Sequence, residues 1–432
     1  MATAPNPTEA ERFLAALFEK RAPALTNAPL DSARTEAFRR FSEGGLPHRR
    51  IEAYKYTDLK ARLRALPPTP DAPRLEAVDA ALEKYPPLVE GAARVVIADG
   101  QYVPERSFAP KGTRITSILD PEADLDEVGA LVGSSDDPLT LANVALFQGG
   151  VLIRVDETAD VHIEIVHVAS EDVLVMSRSA VIVAPGAHVH VTERAVGGTK
   201  AVTNVMKELI LHKDAHADWV RLSEGRSEDA TNLSTLHTRL EEGARLEHLT
   251  VSTGTGLSRS QVFAHVVGTD AEANFRAATV AVGKRHADNT YVVRHDAVDS
   301  RSSELFRSAV GNGGVAVIQG RIIVDPGAQK TDARMMSNAL FLDDTGEVVN
   351  KPELEIFADD VQCGHGATSG DLDHDMIFYL RARGIPEAAA RRLLVDAFLI
   401  EALERVEDEA VHEALSKNLR TWLDVMGGRT WT

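Results

Sequence analysis

Apolar positions follow two periods along this chain, a helical one at both ends and a strand-like one through the long middle. Thr8 and Glu11 stand at capping-box spacing ahead of a stripe of Phe13, Leu14, Leu17 and Phe18, which predicts a first helix. A second helix is expected from Asp31 to Phe41, stopped at Gly44. Pro67, Pro68, Pro70 and Pro73 mark a linker, followed by a short helix over Leu75–Tyr85. Strand character begins at Arg94–Ala98 and dominates from Phe147 to Val361. The helical period returns from Asp373 to Arg383, with a stop at Gly384. Pro386 suits a first helical turn, and Leu393, Leu394, Ala397 and Phe398 then follow helical spacing. A last helix is expected over Asp408–Met426, ending before Gly427 and Gly428. The last two helices are expected to cover an open end of the core or to offer a groove to a partner. The pattern divides the chain into an N-terminal helical region (1–90), a strand-rich core (91–372) and a C-terminal helical region (373–432).

The core repeats itself. A small turn ending in alanine precedes a new strand at Ala159, Ala187, Ala215, Ala244, Ala271, Ala297 and Ala328, at intervals of 28, 28, 29, 27, 26 and 31 residues. A near-constant period of this size is the mark of a solenoid, in which each coil buries its apolar face only by stacking on the next. Strand content with Gly and Asp turns makes the expected fold mainly β, a parallel β-helix flanked by helices. An ordinary sandwich with similar turns is the alternative.

The stretch from Lys351 to Pro386 concentrates the candidate chemistry. It reads as a strand with Leu354, Ile356 and Ala358 on one face and Glu353, Glu355 and Phe357 on the other; if the strand continues, Val361, Cys363 and His365 share a face. Gly364 and Gly366 leave His365 uncrowded. Thiolate and imidazole both ligate iron. The plainer reading is a buried, inert cysteine, because two ligands do not complete a metal site.

Composition narrows the function. The 432 residues carry a formal net charge of −18 and a pI near 5.3, which argues against the basic face of a nucleic-acid binder. A single cysteine excludes an intrachain disulfide and a self-contained cysteine-rich cluster. The first twenty residues lack the basic segment and apolar run of a secretory leader, and no apolar run reaches membrane-spanning length. The expectation is a cytoplasmic protein without membrane contact. The phosphate loop of an ATPase is absent, as are the metalloprotease and nucleophile-elbow motifs. A Cys–His hydrolase would need an orienting group and an oxyanion hole, and neither can be assigned. His188 and His190 could pair on a metal, but a polar outer sheet face explains them more simply, and the same reading covers His162, His212, His216 and His248. The acidic pairs Asp359–Asp360 and Asp371–Asp375 read as turns and a helix cap.

The segment LEIFADDVQCGHGATSGDLDHDMIFYLRARGIP, with GRIIVDPGAQKTDARMMSNALFLDDTGEVVNKP before it and RRIEAYKYTDL near the N-terminus, resembles the SufB/SufD family of iron–sulfur cluster assembly scaffolds. One cysteine with a nearby histidine is closer to the SufD pattern. The resemblance implies a right-handed parallel β-helix and a non-catalytic scaffold. It implies pairing with a SufB-like subunit, and a SufC-type ABC ATPase bound through the C-terminal helices, with Leu393 and Phe398 as candidate contacts. It implies a transient iron–sulfur cluster shared with the partner, with His365 as the ligand and Cys363 as its less certain companion. It also implies an association with reduced flavin, to which no residue is assigned. A homodimer of the isolated chain is the other assembly considered. The rival functions are a structural adaptor without cluster chemistry and a carbohydrate-active β-helix enzyme.

Overall fold

The computed structural model describes residues 7–21, 28–223 and 227–430. The first six residues, on which the leader reading partly rests, lie outside them. Helices α1 (Glu9–Arg21), α2 (Ala28–Gly44), α3 (Leu59–Arg62) and α4 (Leu75–Lys84) come first. Strands β1 (Ala93–Ala98), β2 (Gln101–Tyr102) and β3 (Thr113–Ser117) and helix α5 (Pro138–Leu146) lead into the core. Then follow β4 (Val151–Val155), β5 (Asp160–Ala169), β6 (Leu174–Val183), β7 (His188–Gly197), β8 (Val202–Leu211), β9 (His216–Ser223), β10 (Thr231–Leu240) and β11 (Arg245–Ser252). The core continues with β12 (Leu257–Val266), β13 (Glu272–Val282), β14 (His286–His295), β15 (Arg301–Gly311), β16 (Val315–Val324), β17 (Asp332–Phe341), β18 (Glu347–Ile356) and β19 (Gln362–Gly370). Helices α6 (His374–Ala382), α7 (Glu387–Ile400) and α8 (Glu409–Thr430) close the chain.

The first helix starts as its sequence dictates. The Thr8 amide donates to Glu11 Oε2 at 2.7 Å, and the Glu11 amide donates back to Thr8 Oγ1 at 3.2 Å. Helix α5 carried no stripe to read, because every residue from Leu139 to Leu146 is buried. Helix α8 runs on through Gly427 and Gly428 rather than stopping before them. The strand expected to carry on from Lys351 to His365 is broken by a corner between Ile356 and Gln362, so its halves lie in different sheets.

The strands form a parallel β-solenoid of about seven turns. One sheet runs β2-β1-β5-β7-β9-β11-β13-β15-β17-β19 and the other β3-β4-β6-β8-β10-β12-β14-β16-β18. Only β1–β2 and β3–β4 pair antiparallel among the described strands. Register is maintained from coil to coil, so equivalent residues stack in columns. One inward column reads Ile163, Val191, Trp219, His248, Phe275, Glu304, Met335 and His365.

The recurring turn has a conformational cause. The residues before the inward corner position are Thr158, Gly186, Asp214, Gly243, Asp270, Asp299 and Lys330, all left-handed with φ between 57° and 68°. Gly and Asp tolerate that region best. The corner column itself is Ala159, Ala187, Ala215, Ala244, Ala271, Ser300 and Thr331, each accepting at its carbonyl from a backbone amide of the next coil. Ala297 and Ala328 therefore sit three residues short of the column. The last two turns are longer, and Ser300 and Thr331 fill the inward place while their hydroxyls donate to the carbonyls of Ala297 and Ala328.

Helices cover both flanks. Helices α1, α2 and α5 pack on the outer face of the second sheet through Leu14, Leu17, Phe41 and Leu146 against Met176, Met206 and Leu233. The segment Glu52–Thr57 ties this side down. Tyr54 is fully buried and its hydroxyl donates to Asp137 Oδ1 at 2.6 Å, Arg259 lies over its ring at 4.1 Å, and Thr57 and Arg259 share Asp288. The C-terminal helices cover the first sheet, with Leu399, Leu403, Leu415 and Leu419 against Val220, Leu222, Val251 and Val280. They lie along the flank and leave the end of the solenoid at β18 and β19 uncovered among the described residues.

Gly186 offers a clean test of the turn. No atom lies within 4 Å of a Cβ added there, so only backbone strain opposes substitution. Gly186→Val should cost about 1–2 kcal/mol in chemical denaturation. Gly186→Asn should be nearly neutral, because asparagine tolerates this conformation.

Candidate functional site

The last coil carries the candidate residues Cys363 and His365. Strand β19 has one hydrogen-bonded neighbour, β17; its other edge is free among the described strands. Cys363 stacks over Ala333 and His365 over Met335, and both underlying residues are core. The two side chains thus share the inward face of the terminal coil, as alternation predicts. Cys363 is half-buried and packs against the core, and burial pushes its thiol pKa up, partly offset by a hydrogen bond from the Ala333 backbone. His365 is exposed because no further coil stacks on it.

Asp359, of the acidic pair read as a turn, lies between β18 and β19. It is exposed in the corner before β19, off the strand that carries His365. Gly364 and Gly366 face outward. A Cβ on Gly366 would come within 2.8 Å of the Met336 thioether arm, so the glycine lets that side chain lie over the strand. A recess of about 570 Å³ over the last coils is lined by Arg276, Arg334, Met336 and the glycine-flanked backbone of Cys363 and His365.

The solenoid interior also holds polar groups, which alternation alone does not reveal. Glu193 meets Lys207 at 3.0 Å, accepts from the Trp219 indole at 3.1 Å and lies 3.6 Å from Arg221, all within the solenoid. Burial would raise the Glu193 carboxyl, but Lys207, Arg221 and His167 outweigh it and bring its pKa to about 2. His248 belongs to this interior and not to an outer face; burial lowers its pKa to about 3. Glu304 lies two coils below His365, 2% exposed, with neither carboxylate oxygen hydrogen-bonded. Gly320 opposite leaves it room, since a Cβ there would meet Met335 and Glu304 at 2.3 and 3.0 Å.

Residues 165–398 match the family described as SUF system FeS cluster assembly, SufBD core domain, and residues 8–65 match the SufBD protein N-terminal region. The iron–sulfur cluster assembly protein SufD of Escherichia coli is 30% identical over 404 residues, 85% of this chain and 87% of that protein. An iron–sulfur cluster assembly SufBD family protein of Synechocystis is 26% identical over 84% of each chain. The chloroplastic protein ABCI7 of Arabidopsis thaliana is 29% identical over 56% of this chain and 52% of its own length.

The chain belongs to the SufB/SufD family. Iron–sulfur cluster assembly is therefore its function class, and the resemblance read from the Cys363–His365 segment is borne out. The SufBD core match takes in the whole signature on β18, β19 and α6. The SufBD N-terminal match takes in the Tyr54–Thr57 clamp, so both matched parts meet on one flank of the solenoid.

The two candidate partner contacts differ. Leu393 is 49% exposed, near the exposed Met376, Phe378 and Tyr379 in sequence, whereas Phe398 packs on the flank beside Arg307. Of the histidines read as outer polar residues, His212 pairs with Glu127 and Glu241, while His162, His188, His190 and His216 gather into one cluster on the first sheet. The signal was in the numbering: Asp160, His188 and His216 are spaced by 28, as are His162, His190 and Asp218.

Glu304 makes the site's electrostatics testable. Burial raises its pKa to about 8 from an ordinary 4.5. Between those values the folded chain holds a proton that the unfolded chain has released, so stability falls as pH rises through this window and levels off above it. Glu304→Gln should therefore gain stability over the native chain at pH 8 and little at pH 5, read from denaturant midpoints. An equal difference at both pH values would refute the buried, protonated carboxyl.

Proposed function

We propose that this chain is a SufD-type, non-catalytic scaffold subunit of a cytoplasmic SUF complex. Its terminal coil pairs with a SufB-like subunit, its C-terminal helical region (373–432) engages a SufC-type ABC ATPase that hydrolyses ATP, and the core (91–372) and N-terminal region (1–90) hold that geometry. The cargo is a nascent iron–sulfur cluster, mainly held by the partner. His365 offers it one imidazole nitrogen, and Cys363, half-buried, is the secondary ligand. An association with reduced flavin belongs to the same reading, with no residue assigned to it.

One observation carries this reading. The family's Cys–His pair lies on the inward face of a terminal coil that none of the described residues covers, beside an unpaired strand edge and the exposed Ile356 and Phe357. An unpaired edge invites a second chain. A partner closing there would bury His365 and bring its own thiolates to it, supplying the ligands a single cysteine cannot.

The test is complementation in cells that depend on the SUF system. His365→Ala should lower cluster-enzyme activity several-fold while the partner subunits still co-purify, because an exposed terminal side chain contributes little to folding. Cys363→Ser should have the smaller effect. Full activity of His365→Ala would favour the structural adaptor.

The ATPase contact needs point variants. Truncating the C-terminal helices would bare Val220, Leu222, Val251 and Val280 and confound loss of binding with loss of solubility. The double substitution Phe378→Asp with Leu393→Asp changes two exposed side chains instead. It should abolish ATPase co-purification and leave the melting temperature and the SufB-like contact intact. Retained ATPase binding would remove this face from the proposal.

A further inference from the structure

Two neighbouring outward columns on β5, β7 and β9 form a grid of side chains, Asp160, His188 and His216 in one and His162, His190 and Asp218 in the other. The rings stack, His162 on His190 at 4.2 Å and His188 on His216 at 4.0 Å, each within 11° of parallel, with His188 and His190 centroids 3.9 Å apart. Three imidazoles converge on one carboxylate. His188 Nε2 lies 2.7 Å and His190 Nδ1 2.9 Å from Asp218 Oδ2, and His216 Nε2 lies 3.4 Å from Asp218 Oδ1. The Asp218 carboxylate thus holds three imidazoles in one place. The ligand atoms of His188, His190 and Asp218 all lie within 4.8 Å of one another, close enough to meet a single ion after small rotamer shifts.

We propose that His188, His190 and Asp218 bind a divalent first-row transition ion. Two imidazole nitrogens and one carboxylate oxygen suit zinc, ferrous iron, cobalt or nickel, and disfavour calcium and magnesium, which take oxygen ligands. The second triad, Asp160, His162 and His190, is the weaker one: it shares His190, and its Asp160 side chain is 70% exposed against 23% for Asp218. His216 orients the second oxygen of Asp218, as an outer ligand partner does.

The surroundings leave a coordination position open. The grid borders a cavity of about 50 Å³, walled on the far side by Arg405, Glu407 and Asp408 from the segment ahead of α8. That is room for an ion with a water or two. Asp408 caps α8 through Oδ1, which accepts from the Val411 amide at 3.0 Å, while its Oδ2 faces His162 at 3.9 Å. Three protein ligands and a solvent-facing fourth position is the pattern of an ion that exchanges ligands, as opposed to a sealed structural site. The grid is six strand steps from β19, about 29 Å. It is therefore a different place from the Cys363–His365 end, and it stands whether or not His365 meets a cluster.

The test uses untagged, metal-stripped full-length protein titrated with Zn²⁺ by calorimetry and with Co²⁺ by visible absorption. The expected result is saturable uptake of about one ion per chain, the ligand-field bands of nitrogen-ligated Co²⁺, and a Zn²⁺-dependent rise in melting temperature. His188→Ala, His190→Ala and Asp218→Asn should each weaken binding at least about tenfold. His188→Asn with His190→Asn keeps both positions polar and should do the same with an unchanged circular dichroism spectrum. His365→Ala and Cys363→Ser should bind as the native chain does. No saturable uptake, or uptake that survives the double asparagine variant, would overturn the site, as would uptake lost in His365→Ala.

Discussion

Each coil of this protein can satisfy the backbone of its strands only through the coils above and below it. Most other features follow from that constraint. In-register stacking aligns equivalent residues into columns, so the left-handed turn residue and the small corner residue must recur at every coil. It also means that the stack cannot end without leaving an edge. At its beginning the edge is blunted, because β2 and β3 run antiparallel to the first coil strands. At β18 and β19 no such device exists among the described residues, and the Cys–His pair occupies that end.

The flanks obey a different rule. A solenoid exposes the outer faces of both sheets, and here each carries an apolar band that water would penalise. The helices remove both bands, α1, α2 and α5 from one sheet and α4 with the C-terminal helices from the other. The N-terminal side adds a buried polar clamp, in which Arg259 meets Asp288, the Tyr54 ring and the Ala53 carbonyl. A buried cation is tolerated only when it is paired, and Asp288 supplies that pairing here while Arg259 Nε stays without a hydrogen-bond partner. The C-terminal helices leave α6 with Met376, Phe378 and Tyr379 exposed. The same region thus serves as a lid over one surface and a candidate contact for another protein.

Inside, the lower coils hold an ionic cluster around Glu193 and the upper coils hold aromatic rings, with Phe275, Tyr291 and Phe306 meeting edge to face. Glu304 lies on the strand that carries Phe306, without a hydrogen-bond partner. Burial keeps it protonated at neutral pH, so the space under Met335 and His365 carries no fixed negative charge there.

The sequence by itself determined the local events: the Thr8–Glu11 cap, the coil period, the adjacency of Cys363 and His365, and the motifs that carry the family. Each depends on residues within a few positions or on a repeat that survives small drifts in spacing. Where the turns lengthen, the alanine pattern slipped by three residues, because a corner accepts Ser300 or Thr331 as readily as alanine once a hydroxyl can bond back to the turn. Only the tertiary structure decided which strand face is inside. Trp219, His248 and Glu304 look like parts of ordinary alternating strands, yet stacking buries them in one column. Tyr54 reaches Asp137 and Gln261, and Arg259 reaches Asp288, across long sequence separations that no local pattern encodes. The histidine grid lies between these cases. Its 28-residue spacing is visible in the chain, but two columns two residues apart become neighbours only when three coils stack without a shift in register.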